Sequence, residues 1–242
     1  MVIPIPEGVT LGRNKRDERW LLEQSRAWLE SGERAKGLHA SDLLAIRKAF
    51  WRTVDPRPLT DREIGLFLPG KILHAFVLGA AAGTTPDIAT SDEGSRFNEE
   101  LGIWYSPDWD KSDLAEFKTA RNFVEPTTLE DLDTYIQQLL VYMACEKKLA
   151  AKIWVLFLNL RDPVTRRTTP TFRCYEVTAS EENLAEVRAH IQSTKADFEQ
   201  AIATQTWRHL DLCPSWMCGR TNCLWYDKCQ PEDRYGTKDF DK

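Results

Sequence analysis

Uninterrupted apolar sequence is short throughout these 242 residues. No run approaches the roughly 20 residues needed to cross a bilayer. The start, MVIPIPEGVTLGRNKRDERW, has no basic-then-apolar leader. A soluble cytoplasmic protein without a membrane partner is the expectation. Basic residues are also in deficit: 32 Lys and Arg stand against 37 Asp and Glu, a formal net charge of −5. That argues against a protein that coats nucleic acid. It leaves room for an enzyme with a local basic groove around an acidic, metal-filled centre. The clusters GRNKRDER, IRKAFWR and RDPVTRR would line such a groove, although solvated faces are their plainer reading. There is no internal repeat and no low-complexity tract.

What the chain does contain is material for a core, with 42% hydrophobic residues, nine of them Trp. Trp20, Leu21, Gln24 and Trp28 recur like one helix face, and Gly32 marks its stop. Ser41 is placed to cap a second helix, SDLLAIRKAFW. Thr60 and Glu63 form a capping box for TDREIGLFL, which Pro69 interrupts before GKILHAFVLGAAAG resumes as an apolar helix. Residues from about 84 to 100 are polar and irregular, with room for one poorly marked strand. GIWYSPDWDKSDLAEFKTAR then reads as two strands of a hairpin with DKSD as the turn. Thr127 and Glu130 form a capping box for a helix with Leu132, Ile136, Leu139 and Met143 on its stripe. KIWVLFLNL reads as a strand buried on both faces, with TFRCYEVT as its partner. Ser180 opens a long helix carrying Leu184, Val187, Ile191, Phe198 and Ile202. The order predicts an α/β fold with a mixed central sheet flanked by helices.

The hairpin is where chemistry concentrates. Alternation puts Glu116 and Lys118 on one face of a strand and Phe117 on the other. Asp108, at the end of the partner strand, is expected to meet Glu116. Two converging carboxylates repel unless a cation lies between them, and oxygen ligands suit Mg²⁺ or Mn²⁺. Such an ion polarises a phosphodiester and acidifies its water, with an ammonium such as Lys118 to orient that water. A solvated surface hairpin is the bland alternative. A second Pro-Asp, at Pro86 and Asp87, lies too far from Glu116 for a tight hairpin, and Asp110 and Asp113 read as solvated turn residues. Trp104 and Trp109 read either as exposed stacking rings or as core. His74, one turn after Gly70, can supply a nitrogen ligand, with Gly70 allowing close packing. Gln138 and Tyr142 share a helix face apart from the leucine stripe.

Gly70-x-x-x-His74, Pro107-Asp108, Glu116-Phe117-Lys118-Thr119 and Gln138-x-x-x-Tyr142 together resemble the RecB-like PD-(D/E)xK nucleases in order and spacing. With the cysteine-rich tail, the likeness is closest to the CRISPR-associated RecB-family exonucleases that carry an iron–sulfur cluster. It runs from about residue 39 to residue 229. The resemblance implies a restriction-endonuclease-like core and metal-dependent hydrolysis of DNA, preferentially from single-stranded or frayed ends. It implies His74, Asp108, Glu116 and the Phe117 backbone carbonyl as metal ligands, Lys118 as the catalytic lysine, and Gln138 and Tyr142 as its support. It also implies protein partners in CRISPR adaptation or DNA repair. A single nuclease domain over 1–242 follows, with an N-terminal helical part (1–60), a catalytic core (61–178) and a C-terminal helix and cysteine tail (179–242). The same fold retained as a non-catalytic nucleic-acid-binding or assembly module is the second reading.

In those relatives one cluster cysteine comes early, in a pattern like Leu-x-x-Cys-x-Arg, where this chain has Ala45. The tail supplies four cysteines instead, Cys213, Cys218, Cys223 and Cys229, with Cys213 standing in for the early ligand. Their gaps of four, four and five residues contain no Cys-x-x-Cys knuckle. A [4Fe–4S] cluster is therefore expected ahead of Zn²⁺. Cys145 and Cys174 are expected to be small core residues.

Overall fold

The apolar stretch Ile153–Leu160 lies within β4 (Ala150–Arg161), the middle strand of a three-stranded mixed sheet in a computed structural model of the chain. The structure describes residues 15–30, 35–82, 95–110, 113–121, 132–162, 164–214, 218 and 223–229. On one side of β4, β3 (Ala115–Ala120) runs parallel, with Phe117 opposite Trp154. On the other, β5 (Thr168–Thr178) runs antiparallel, with Tyr175 opposite Ile153. Ile153, Val155 and Phe157 fill one face of β4 completely, and Leu156 is buried on the other.

Parallel neighbours need a crossover connection, and α5 (Asp133–Glu146) supplies it, packing on both β3 and β4. Leu139 and Met143 are its fully buried residues. The Thr127–Glu130 box expected to open it lies outside the described residues. α6 (Glu181–Thr204) covers α5. Its cap is the expected Ser180, whose hydroxyl accepts from the Asn183 N–H while Asn183 Oδ1 accepts from the Ser180 N–H. Leu184 and Ile191 are buried beneath it. The α/β fold with a helix-flanked mixed sheet is as the sequence predicts.

The N-terminal helices depart from expectation in detail. α1 (Lys15–Glu30) forms, but Trp20 and Leu21 are both 56% exposed. The second helix is two: α2 (Ala40–Leu43) and α3 (Ile46–Val54) meet at a break at Ala45. Its cap is His39 rather than Ser41, because Asp42 Oδ2 reaches back to the His39 N–H at 3.0 Å. α4 (Asp61–Ala81) is capped by Thr60 with Glu63 as expected, yet it runs unbroken through Pro69. A proline inside a helix clashes with the carbonyl four residues back; that residue is Gly65, around which a Cβ would meet nothing within 4 Å. By length and composition α4, of mean hydropathy 1.6, meets the measure of a membrane-crossing helix, although no single apolar run does. It packs on α1 and on β3.

The expected hairpin does not form. β2 (Ile103–Tyr105) instead pairs with the weakly marked strand β1 (Arg96–Asn98) in a separate two-stranded sheet. Gly102 turns between them with φ +64°, a left-handed conformation that favours glycine. An isolated bridge, Trp109 with Ala115, and the Asp108 carboxylate on the Phe117 N–H tie the segment after β2 to β3. The turn acids are engaged: Asp110 pairs with Arg96, and Asp113 with Lys152 at 2.6 Å.

The small sheet is anchored to the end of α5 through Glu146, which accepts from the Tyr105 hydroxyl at 2.8 Å and from Arg96 at 2.9 Å. Burial, then the hydrogen bond to Glu146, pushes the Tyr105 phenol up to about 12, and burial pushes the Cys145 thiol to about 12. Folding thus favours the neutral form of both. Their contribution is complete below their ordinary values near 10 and 9 and is lost as pH rises toward 12. Melting temperature is expected to fall between pH 8 and pH 11, and Tyr105→Phe to fall less steeply, as pH-resolved thermal denaturation would report.

Candidate active site

β3 is an edge strand of its sheet, and the candidate site wraps around that free edge. In an extended strand the N–H and C=O of one residue point to the same side. Residues 114, 116 and 118 direct theirs to β4, as the Lys152 N–H to Leu114 O bond of 2.9 Å illustrates. Ala115 and Phe117 direct theirs outward. Ala115 is met by Trp109, at 2.8 and 3.1 Å. Phe117 is met by Asp108, whose Oδ2 accepts its N–H at 2.6 Å. Asp108 therefore arrives beside β3 without a hairpin, held by an otherwise open backbone donor. The Phe117 carbonyl faces the same edge.

The two faces of β3 bring the remaining groups. On one, Phe117 and Thr119 look to α4. The Phe117 ring lies parallel to the His74 imidazole, 5.8 Å between centroids, and His74 Nε2 stands 3.0 Å from Asp108 Oδ1. Gly70 sits over Thr119, where an added Cβ would be 3.6 Å from Oγ1, an ordinary contact. The packing there does not require glycine, contrary to the expectation. On the other face, buried Glu116 pairs with the Lys118 ammonium. Burial opposes the Lys118 charge, but Glu116 and then Asp108 outweigh it and raise its pKa. Tyr135, which sequence reasoning missed, places its ring 6.0 Å from Lys118 Nζ. Its spacing of three and seven from Gln138 and Tyr142 was the available signal. Gln138 Nε2 donates to the Tyr142 hydroxyl at 2.5 Å.

His74, Asp108, Glu116, Phe117, Lys118, Gln138 and Tyr142 all line one open cavity of about 690 Å³. Half-buried Trp104 also lines it, whereas Trp109 packs on Trp154 at 5.8 Å. Asp87 lies outside the described residues. Among the described residues no three His, Cys, Asp or Glu side chains are already grouped as a ligand set. Here the carboxylates engage His74 and Lys118 directly. The donor types nevertheless fit a hard divalent ion. Adjacent ligands of an octahedral ion with bonds near 2.1 Å stand about 3.0 Å apart, the separation between His74 Nε2 and Asp108 Oδ1.

The four tail cysteines also meet. Cys213, Cys218, Cys223 and Cys229, in and before α7 (Tyr226–Cys229), wall a cavity of about 10 Å³ with Lys48, Trp51 and Tyr226. Ala45 packs with Cys213 and Cys218. The hydrogen bond from Cys218 draws the Cys213 thiol down to about 7 against burial, with Lys48 and Arg47 adding to the effect. Cys218 is raised by that same bond and by burial; burial raises Cys223 and Cys229. Buried Arg47 directs Nη1 to Cys229 Sγ at 3.9 Å and Nη2 to the carbonyls of Arg208 and Leu210. Arg47 Nε and the Trp51 indole N–H are buried without a hydrogen-bond partner among the described residues. Each such orphan costs about 1–3 kcal/mol. Thiols with cationic neighbours are the donor type of a sulfur-ligated metal centre. Among the described residues these thiols are not already grouped as a ligand set, and with a void of about 10 Å³ a four-iron cluster would need them to stand further apart. Cys145 is buried as expected, but Cys174 is exposed on β5.

No family model matches the chain, and no curated protein matches it. Among solved structures it is similar to SSO0001, with a TM-score of 0.53 and 14% identity over 86% of this chain and 94% of that one. It is also similar to a phage related exonuclease from Haemophilus somnus 129PT, with a TM-score of 0.44 and 12% identity over 70% and 96%. An alkaline exonuclease, LHK-Exo from Laribacter hongkongensis, gives a TM-score of 0.44 and 17% identity over 76% and 95%. The likeness to SSO0001 is one of fold, and the looser superposition on the two exonucleases says nothing of activity.

Proposed function

We propose that this chain is a metal-dependent nuclease that hydrolyses DNA phosphodiesters, acting on single-stranded or frayed ends. The observation that carries the reading is the meeting of Asp108, Glu116, Lys118 and His74 in one open cavity from an edge, two faces and a neighbouring helix. Asp108, Glu116, His74 and the Phe117 carbonyl would hold Mg²⁺ or Mn²⁺. That ion would supply charge for the scissile phosphate and an acidified water. Lys118, kept charged by its acidic neighbours, orients the attacking water and stabilises the negative charge that develops on phosphate oxygens. Gln138 and Tyr142 hold the substrate backbone, and Tyr135 limits where the ammonium can lie.

The tail cysteines would hold a structural metal centre, a [4Fe–4S] cluster by the motif resemblance or Zn²⁺ by the size of the void. Exonucleolytic action and service in CRISPR adaptation or DNA repair rest on the same resemblance. A non-catalytic nucleic-acid-binding module is the second reading, favoured by the direct Glu116–Lys118 and Asp108–His74 contacts, in which both carboxylates already have side-chain partners. Incubation with end-labelled single-stranded DNA separates the two. Shortening that needs Mn²⁺ or Mg²⁺ and stops with chelator is expected. Binding without cleavage at any divalent ion would establish the module.

A further inference from the structure

We infer that the chain associates head-to-tail with copies of itself, the exposed face of α1 from one molecule seating in a groove between α5 and α6 of the next. The groove holds about 730 Å³ and is separate from the cavity of the candidate active site. Ile136 and Leu140 of α5, Val187 of α6 and Val177 of β5 are half-buried, packed on the core from one side and lining the groove with the other. Glu176 and Glu186, both exposed, stand among them. Among the described residues no Lys or Arg lines the groove. An apolar floor beside acidic groups takes an apolar anchor with positive charge next to it.

The first half of α1 carries that complement. Trp20 and Leu21 are each 56% exposed. Arg16, one turn before Trp20, and Arg19, beside it, are exposed as well. The second half of the helix is what holds it to the molecule. Arg26 pairs with Asp61 at 2.5 Å and donates to the Leu59 carbonyl at 3.0 Å, while Glu30 accepts from the Leu59 N–H at 2.7 Å. The Lys71 ammonium of α4 lies 5.5 Å from the centre of the Trp28 ring. The fold thus uses the Trp28 end of the amphipathic stripe and leaves the Trp20 end in solvent. A tryptophan flanked by arginine is the composition of an interface centre. α1 rests on α4, on the Phe117 face of the sheet, whereas the groove lies on the α5 face. A molecule's own helix is therefore remote from its own groove, and the contact is a heterologous one with another copy.

Sedimentation equilibrium on the full chain is the test. The mean mass of the unsubstituted protein is expected to rise with concentration above that of a monomer. Trp20→Glu, which spoils the helix, and Glu186→Arg, which spoils the groove, should each weaken association by roughly 30-fold or more, as loss of a central contact does. Both residues are exposed, and circular dichroism verifies that each variant is folded. A 1:1 mixture of the two is the sharper measurement, because each variant keeps the surface that the other lacks. It should form dimers and nothing larger, since one intact contact per pair remains. A chain that stays monomeric at every concentration overturns the inference. Association that survives either substitution does the same, and so does a mixture of folded variants that forms no dimer.

Discussion

Replacing Lys118 by Met is expected to lower DNA cleavage by roughly 10²- to 10⁴-fold, the range for a group that moves or orients a proton at the reacting centre. Binding of the same DNA should stay within a few-fold, because the ammonium is paired with buried Glu116 and the lysine side chain is only 23% exposed. Asp108→Asn should be equally inactive, for a different reason: the amide loses the charge a divalent ion needs but keeps an oxygen for the Phe117 N–H. Asp108→Ala would mix two effects, since the freed backbone donor adds about 1–3 kcal/mol of destabilisation. Single-turnover cleavage with circular dichroism on each variant checks all three. A Lys118→Met rate within tenfold of the unsubstituted protein would remove the lysine from the chemistry.

The second large effect is expected at the tail. Cys229→Ala should release the bound metal and lower the melting temperature by roughly 10 °C, as loss of a ligand worth a few kcal/mol does in a chain of this size. Cys229 sits where several ties meet. Its thiol faces Arg47, and its carbonyl accepts from the Trp207 indole at 3.3 Å. One turn back, the Trp225 indole donates to the Asp55 carbonyl at 3.1 Å. Lys228 pairs with Asp55 at 2.8 Å. Exposed Cys174→Ala is the control and should change neither metal content nor melting. Metal analysis with calorimetry decides. If Cys229→Ala keeps its metal, the tail assignment fails.

The parts that were legible in the sequence are those where local chemistry decides structure. Thr60 with Glu63, Ser180, and the apolar run of β4 each determine their element within a few residues. Alternation placed Glu116 and Lys118 on one face correctly. The hairpin was misread because β1 and β2 are three residues each and carry too few side chains to declare a partner. The true neighbour of β3 is 37 residues further on, at Ile153 opposite Glu116. Asp108 was found in spite of this, since a short tether to β3 delivers it beside the strand with or without a ladder. Pro69 misled because the helix continues through it, with open space around Gly65, the residue whose carbonyl a helical proline crowds. Arg47 could not be read as a donor to the tail, as the sulfur it meets, that of Cys229, lies 182 positions away.

Asp108 also has a duty that its charge does not reveal. A strand with one side unpaired can recruit a strand from another molecule, and here the outward backbone donors at Ala115 and Phe117 are stoppered by Trp109 and by that carboxylate. Any replacement at 108 without an acceptor oxygen uncorks the lateral seam of the sheet, so self-association, and not only silence towards DNA, becomes the phenotype of an ill-chosen substitution.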